Sequence, residues 1–304
     1  MRDAFARALG QAARTHPDIA LVVADISPAA SLKEFLDENP TRIVDVGVSE
    51  QAMIGMAAGM AIAGLRPFAY TIAPFAIFRP FEQIRIDLAY QQLPVVIVGV
   101  GGGLAYSALG STHHTLEDIA VATAIPTMTV IAPCDPLETA AAVHAVLDLE
   151  GPCYLRLGKA GEPVLTDHAV QPFAIGTLRQ VTEGHRVAIV GYGPILRLAF
   201  DARAQLTPKD QPAIFSAHTL KPLDIEGIDR LLSAFDRVIV LEEHVARGGL
   251  GREVLARSRT IDRADIACFH LKDEFLHVYG SQEFLWAEHG LTVEALVRAV
   301  VGED

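Results

Sequence analysis

A glutamate at a helix start, two adjacent histidines in a loop and a run of glycines are residues whose types and spacing could do chemistry. Glu50 follows Ile43-Val44-Asp45-Val46-Gly47-Val48-Ser49, a short apolar run with a polar tip. It precedes Gln51 to Gly64, a stretch too rich in Ala, Met and single Gly to be a strand. The pattern predicts a buried strand ending near Val46, a turn at Gly47 and a helix capped by the hydroxyl of Ser49. Glu50 then stands in the first helical turn at the carboxyl end of a parallel strand, where open α/β sheets place their ligands. Its ordinary role there is to complement the helix dipole; the functional alternative is a carboxylate that faces a ligand. His113 and His114 lie in Gly110-Ser111-Thr112-His113-His114-Thr115-Leu116-Glu117-Asp118. Thr115, three residues before Asp118, resembles a helix N-cap, which leaves both histidines in the preceding loop. They are either solvated or carbonyl-bonded, or else acid–base or oxygen-binding groups. The glycines of Gly99-Val100-Gly101-Gly102-Gly103 let backbone approach something closely. They are not a dinucleotide fingerprint, because the third glycine of that motif would fall on Leu104.

The elements that must position these groups alternate strand and helix. A helix over Asp3 to Arg14 leads to a strand over Ile19 to Val23 with Asp25 at its tip. A short helix over Ser31 to Glu38, the Glu50 segment and a strand over Phe68 to Thr71 follow. A turn then enters a helix through Glu82 to Tyr90. Pro94 to Val100, an unbroken Val and Ile run, reads as a strand covered on both faces. The remainder of the first half is a helix from Ile119, a strand over Met128 to Ile131, a helix over Pro133 to Leu147 and a strand over Cys153 to Leu157. From Lys159 to Phe173 the composition turns to Gly, Pro, Asp and His, which marks a linker. The rhythm then restarts with strands near 186–191, 213–216, 237–242 and 266–270. Helices at 195–206, 225–235, 250–257 and 293–301 lie between and after them. This predicts an α/β fold of two doubly wound domains: a mostly parallel first domain over residues 1–160, a linker over 161–173 and a smaller second domain over 174–304.

The chain of 304 residues carries 51% apolar residues, ample for two cores, and a formal charge of −12. That balance, with no basic stripe, argues against nucleic acid as a partner. Cys134, Cys153 and Cys268 share no metal-ligand spacing and read as reduced thiols of a cytoplasmic protein. The amino terminus runs directly into an amphipathic pattern, which reads as neither signal peptide nor membrane span. Gly55, Gly59 and Gly64 strip one helix face of bulk, but Arg66 and Pro67 interrupt the apolar stretch too soon for a bilayer, so a tight soluble packing face is expected.

Taken together, Asp45-x-Gly47-x-Ser49-Glu50-Gln51-x-Met53-x-Gly55-x-Ala57-x-Gly59-x-Ala61-x-x-Gly64, then Arg66-Pro67-Phe68, Glu82-Gln83-Ile84-Arg85 and Gly110-x-Thr112-His113 with Glu117-Asp118 resemble the pyrimidine-binding half of a transketolase. Lys221-Pro222-Leu223-Asp224 and Leu241-Glu242-Glu243-His244 with Gly248-Gly249-Leu250-Gly251 resemble that family's carboxyl-terminal domain. The resemblance spans essentially the whole chain. The Gly-Asp-Gly motif, through which the family holds the diphosphate of thiamine diphosphate and its metal, does not occur in it. The chain therefore resembles the carboxyl-terminal subunit of a split transketolase. The resemblance implies a partner subunit that carries Gly-Asp-Gly and the Mg2+ or Ca2+ ligands, and an α2β2 assembly with a homodimer contact on the small-residue helix.

The resemblance also implies roles. Glu50 matches the carboxylate that hydrogen-bonds N1′ of the aminopyrimidine and drives its imino tautomer. Phe75 and Phe78 match positions of the aromatic slot, with Ile72 where a third aromatic is usual; without the resemblance they would read as core. Asp25 is a further cofactor candidate at its strand tip. His113 matches a histidine that contacts the sugar near the reacting carbons, and Arg2, Arg156 and Lys159 match cations for a sugar phosphate. Two departures stand out: Leu109 replaces an Asp that reads a substrate hydroxyl, and Gly101 replaces a His. The implied activity is transfer of a two-carbon ketol unit from a ketose phosphate to an aldehyde. The alternatives are the β-subunit of a 2-oxoacid dehydrogenase, a deoxyxylulose phosphate synthase-like half, or a scaffold subunit without catalysis.

Overall fold

A computed structural model of the chain describes residues 1–26, 32–261 and 263–303, apart from the side chain of residue 34. The expected start of the second helix at Ser31 lies outside the described residues; from Leu32 the helix runs to Glu38. Seven strands form the first sheet: β1 Ile19–Val23, β2 Ile43–Asp45, β3 Arg66–Ile72, β4 Val96–Val100, β5 Thr129–Ile131, β6 Cys153–Leu157 and β10 Thr219–Lys221, in the order β10-β5-β6-β4-β3-β1-β2. All pairings are parallel except that of β10 with β5. The second sheet is β7 Arg179–Thr182, β8 Val187–Gly191, β9 Ala213–Ser216, β11 Arg237–Val245 and β12 Asp265–Leu271, in the order β12-β11-β8-β9-β7, antiparallel only at β7. Helices cover both faces, and each face buries an apolar core, as the unbroken runs of β1, β4 and β6 require.

Three expectations change. The strand before Glu50 is the edge of the sheet and only half buried, because β1 pairs with β3 on its other side. The Ser49 hydroxyl makes no cap bond. The turn is instead tied by Asp45, whose Oδ1 accepts from the Gly47 N–H at 2.9 Å while Gly47 takes a left-handed φ of +68°. Thr115 does not cap the next helix, Asp118–Ala124; its hydroxyl accepts from the Gly103 N–H at 2.7 Å. β10, from the second half of the chain, extends the first sheet. That crossing ties the two halves together, and Ala132 N–H donates to the His218 carbonyl at 2.7 Å at the same seam. Among the described residues no helix is long and apolar enough to cross a membrane.

Candidate functional site

The strand order places a topological switch between β1 and β3, and the residues of interest cluster at the carboxyl ends around it. Glu50 opens the helix Glu50–Ile62 after β2, Phe75 lies on the short helix Ala73–Ile77 after β3, and His113 follows β4. Lys159 follows β6, and its carbonyl accepts from the N–H of Arg2 at 3.2 Å, so the first helix turn meets the same rim.

These side chains form one chain of contacts. Glu50 is 5% exposed. Arg79 Nη1 donates to its two oxygens at 2.9 and 3.1 Å. The Arg79 guanidinium lies 3.8 Å over the Phe75 ring, and Phe75 meets the His113 ring edge-on at 5.2 Å. Tyr106 is the next ring, 6.2 Å from His113, and the Lys159 ammonium lies 5.1 Å over it. His113 Nδ1 shares a hydrogen bond with the Thr112 hydroxyl at 2.9 Å. Burial first and the Arg79 charge second pull its pKa below the ordinary histidine value, so the imidazole is neutral at neutral pH.

Not every candidate joins this line. Phe78 packs against the first core and lines a cavity of about 120 Å³ with Pro74, Thr112 and His114. Ile72 closes β3, half buried beside Val100. Asp25 is exposed on the rim, its N–H donating to Asp45 Oδ1 at 3.3 Å.

Arg156 is a correction. Its Nε donates to Asp118 Oδ2 at 2.8 Å, its Nη2 to the Glu243 carbonyl at 3.1 Å, and its side chain is only 2% exposed. Burial opposes its charge, but Asp118, Tyr192 and Glu243 outweigh that and hold the guanidinium ionised. Sealed between the domains, it has no face left for a sugar phosphate. The glycine run serves this seam: a Cβ on Gly103, at a φ of +66°, would enter the Glu243 carboxyl, and one on Gly102 would enter Arg156. Glu243 Oε1 accepts from Leu104 N–H at 2.8 Å, Gln282 at 2.9 Å and the Trp286 indole at 2.6 Å.

Two residues escaped the sequence reading. Arg79 had a signal, being the one cation between Ile72 and Phe81. Tyr106 had none, since it sits in an aperiodic loop. Among the described residues no group of three or more His, Cys, Asp or Glu could hold a metal ion. The aminopyrimidine of thiamine diphosphate does fit: Arg79 demonstrates that a flat hydrogen-bond donor can stack on Phe75 and be gripped by Glu50.

A two-domain α/β chain with its polar site at the carboxyl ends of the first sheet is the class that fold and site define. Residues 1–161 match the pyrimidine binding domain of transketolase, and residues 176–296 match the transketolase C-terminal domain. The chain is 33% identical over 99% of its length to a subunit of the apulose-4-phosphate transketolase of Phocaeicola vulgatus, covering 96% of that protein. It is 32% identical over 98% of its length to a 6-deoxy-6-sulfo-D-fructose transketolase subunit of a Clostridium species, covering 92% of it. It is also 32% identical over 98% of its length to the 1-deoxy-D-xylulose-5-phosphate synthase of Pelotomaculum thermopropionicum, covering 47% of that longer protein. A solved split gene transketolase, described as an inactive β4 tetramer, superposes with a TM-score of 0.88 at 30% identity, with 99% of this chain and 97% of that one covered. The chain therefore belongs to the transketolase family, whose members are thiamine diphosphate enzymes, and its relatives include single subunits of split transketolases.

Proposed function

We propose that this chain is the pyrimidine-binding subunit of a split transketolase, which moves a two-carbon ketol unit from a ketose with an anionic end to an aldehyde acceptor. A partner chain that carries Gly-Asp-Gly completes the site with the diphosphate and Mg2+ or Ca2+ ligands. The observation that carries the reading is the buried carboxylate of Glu50 beside the half-buried Phe75 ring, bridged by a flat guanidinium that donates to the one and stacks on the other. When bound, thiamine diphosphate supplies a carbanion that no side chain can provide. Glu50 holds the hydrogen bond at N1′, Phe75 stacks on the pyrimidine, and Ile72 and Phe78 complete the apolar wall. His113, kept neutral, can donate to or accept from a sugar oxygen beside the reacting carbons. Arg2 and Lys159 take the anionic end of the substrate; the names of the two subunit relatives, with a phosphate and a sulfonate sugar, support that choice.

Partner dependence is supported by the solved β4 tetramer being described as inactive. The helix Glu50–Ile62 leaves Gly55, Met56, Gly59 and Ile62 exposed, and a Cβ on either glycine would meet nothing within 4 Å. A second copy of this chain packs there in an α2β2 assembly.

The test mixes the chain with its partner, thiamine diphosphate and magnesium, and follows glycolaldehyde transfer from a panel of ketose phosphates. The expected result is transfer by the mixture, none by either chain alone, and loss of all but a few per cent in Glu50→Gln. Activity of the chain alone would end the split-subunit reading. The similarity to the synthase favours a second reading, as one half of a deoxyxylulose phosphate synthase-like enzyme. Turnover of pyruvate with glyceraldehyde 3-phosphate, in place of ketol transfer, would select it.

A further inference from the structure

The space in front of Gly101 is filled. Gly101 takes a φ of +78°, and a Cβ on it would lie inside the Tyr106 ring, at Cε2 and Cδ2. Tyr106 thus places an aromatic ring, from five residues downstream, where a side chain at 101 would project. The ring is half buried and bordered by His113 on one side and by the Lys159 ammonium over its face. Arg2 is joined to Lys159 through the backbone, and its charge is felt by the phenol, whose pKa burial raises and Arg2 lowers. One polar atom here, the buried Nε of Arg2, has no hydrogen-bond partner among the described residues. The half-buried Tyr106 ring stands between the group assigned to the reacting carbons and the cations assigned to the anionic end.

Resting on the function proposed above, we infer that Tyr106 is a substrate-binding residue that sets selectivity for the anionic end: its hydroxyl donates to the substrate's phosphate or sulfonate beside Arg2 and Lys159. A phenol donating to an anion makes a charge-assisted hydrogen bond, which is stronger than a neutral one. The ring also makes the loss at Gly101 a replacement, since the volume is not surrendered to solvent.

The experiment uses the complex of this chain with its partner, loaded with thiamine diphosphate and magnesium. D-xylulose 5-phosphate and D-xylulose serve as probes for wild type, Tyr106→Phe and Tyr106→Val, with Kd read by calorimetry and KM and kcat by transfer. The wild type is expected to prefer the phosphorylated probe. Tyr106→Phe should lose about tenfold or more of that preference through Kd and KM, with kcat within about twofold and affinity for D-xylulose and for the cofactor unchanged. Tyr106→Val should lose the same preference. Equal affinity of wild type for the two probes, binding of neither, an unchanged preference in Tyr106→Phe, or an equal loss on both probes would overturn the assignment. Normal cofactor binding with any of these overturns Tyr106 alone; absence of cofactor binding by the wild-type complex overturns the proposed function and this assignment with it.

Discussion

Of the arginine–carboxylate pairs in the first domain, Arg79 with Glu50 and Arg156 with Asp118 do opposite work. Arg79 with Glu50 is a one-sided pair: the carboxylate is buried, but the arginine side chain is 46% exposed and lies flat on an aromatic ring. Arg156 with Asp118 is closed on both sides, at 2% and 0% exposure, with Tyr154 donating to the same Asp118 oxygen at 2.9 Å. The first pair can open from its arginine side, because that cation already touches solvent, but the buried Glu50 carboxylate then needs another donor in its place. The second cannot, because separating it strands a charge in a dry seam. A buried carboxylate whose partner can leave is available to a ligand, and one whose partner is locked is part of the scaffold.

The largest effect expected of that contrast is on activity: Glu50→Gln removes all but a few per cent of transfer in the assembled enzyme, while leaving its fold and its thermal midpoint close to wild type. On stability the order reverses. Arg156→Met leaves Asp118 unpaired and should cost about 3–5 kcal/mol in denaturant unfolding. Adding Asp118→Asn should recover a large part of it, and a double variant no more stable than the single would break the contrast.

His218 belongs to the same closed seam, with its ring stacked 4.1 Å from Phe173. Burial pulls its pKa down to about 4 from 6.5. The unfolded chain binds the extra proton between those values, so this contribution is complete above pH 6.5 and lost as pH falls toward 4. At about 1.4 kcal/mol per pKa unit, it amounts to about 3 kcal/mol. Urea unfolding of His218→Phe across that window should have a shallower pH dependence than wild type.

The smallest effect falls on the open pair. Arg79→Gln should cost less stability than Arg156→Met, because the arginine side of this pair is open to water and the glutamine amide can still donate to Glu50. It should still raise the pKa of His113 toward the ordinary histidine value, by removing a nearby positive charge. Nuclear magnetic resonance titration of the imidazole reads that directly, and a fixed midpoint would detach Arg79 from the site.

The contrast also explains what the sequence could reveal. β1, β6 and β9 and the helix Val293–Val301 fall at the expected limits, because each is a continuous or periodic apolar segment bounded by turn residues. β7, β10 and the helix Gln282–Glu288 were invisible. β7 and β10 are edge strands of four and three residues whose pairing is decided by tertiary contact. The position of Glu50 was legible because its surroundings are local: a strand end, a left-handed glycine and a first helical turn. Arg156 was misassigned because its burial depends on Asp118, 38 residues earlier, and on the Glu243 carbonyl, 87 residues later. A motif can place a cation near a rim without saying which way its guanidinium is turned. Tyr106 could be found only in the folded chain, where its ring lies over Gly101.

The most direct test is a calorimetric titration of thiamine diphosphate, with magnesium, into this chain alone, into the two-chain complex and into the complex carrying Glu50→Gln. Saturable binding by the wild-type complex, none by the chain alone and a clear loss of affinity in the Glu50→Gln complex are expected. Equal binding by wild type and Glu50→Gln, or full binding without the partner, would contradict a cofactor site completed between two subunits and gripped by this carboxylate.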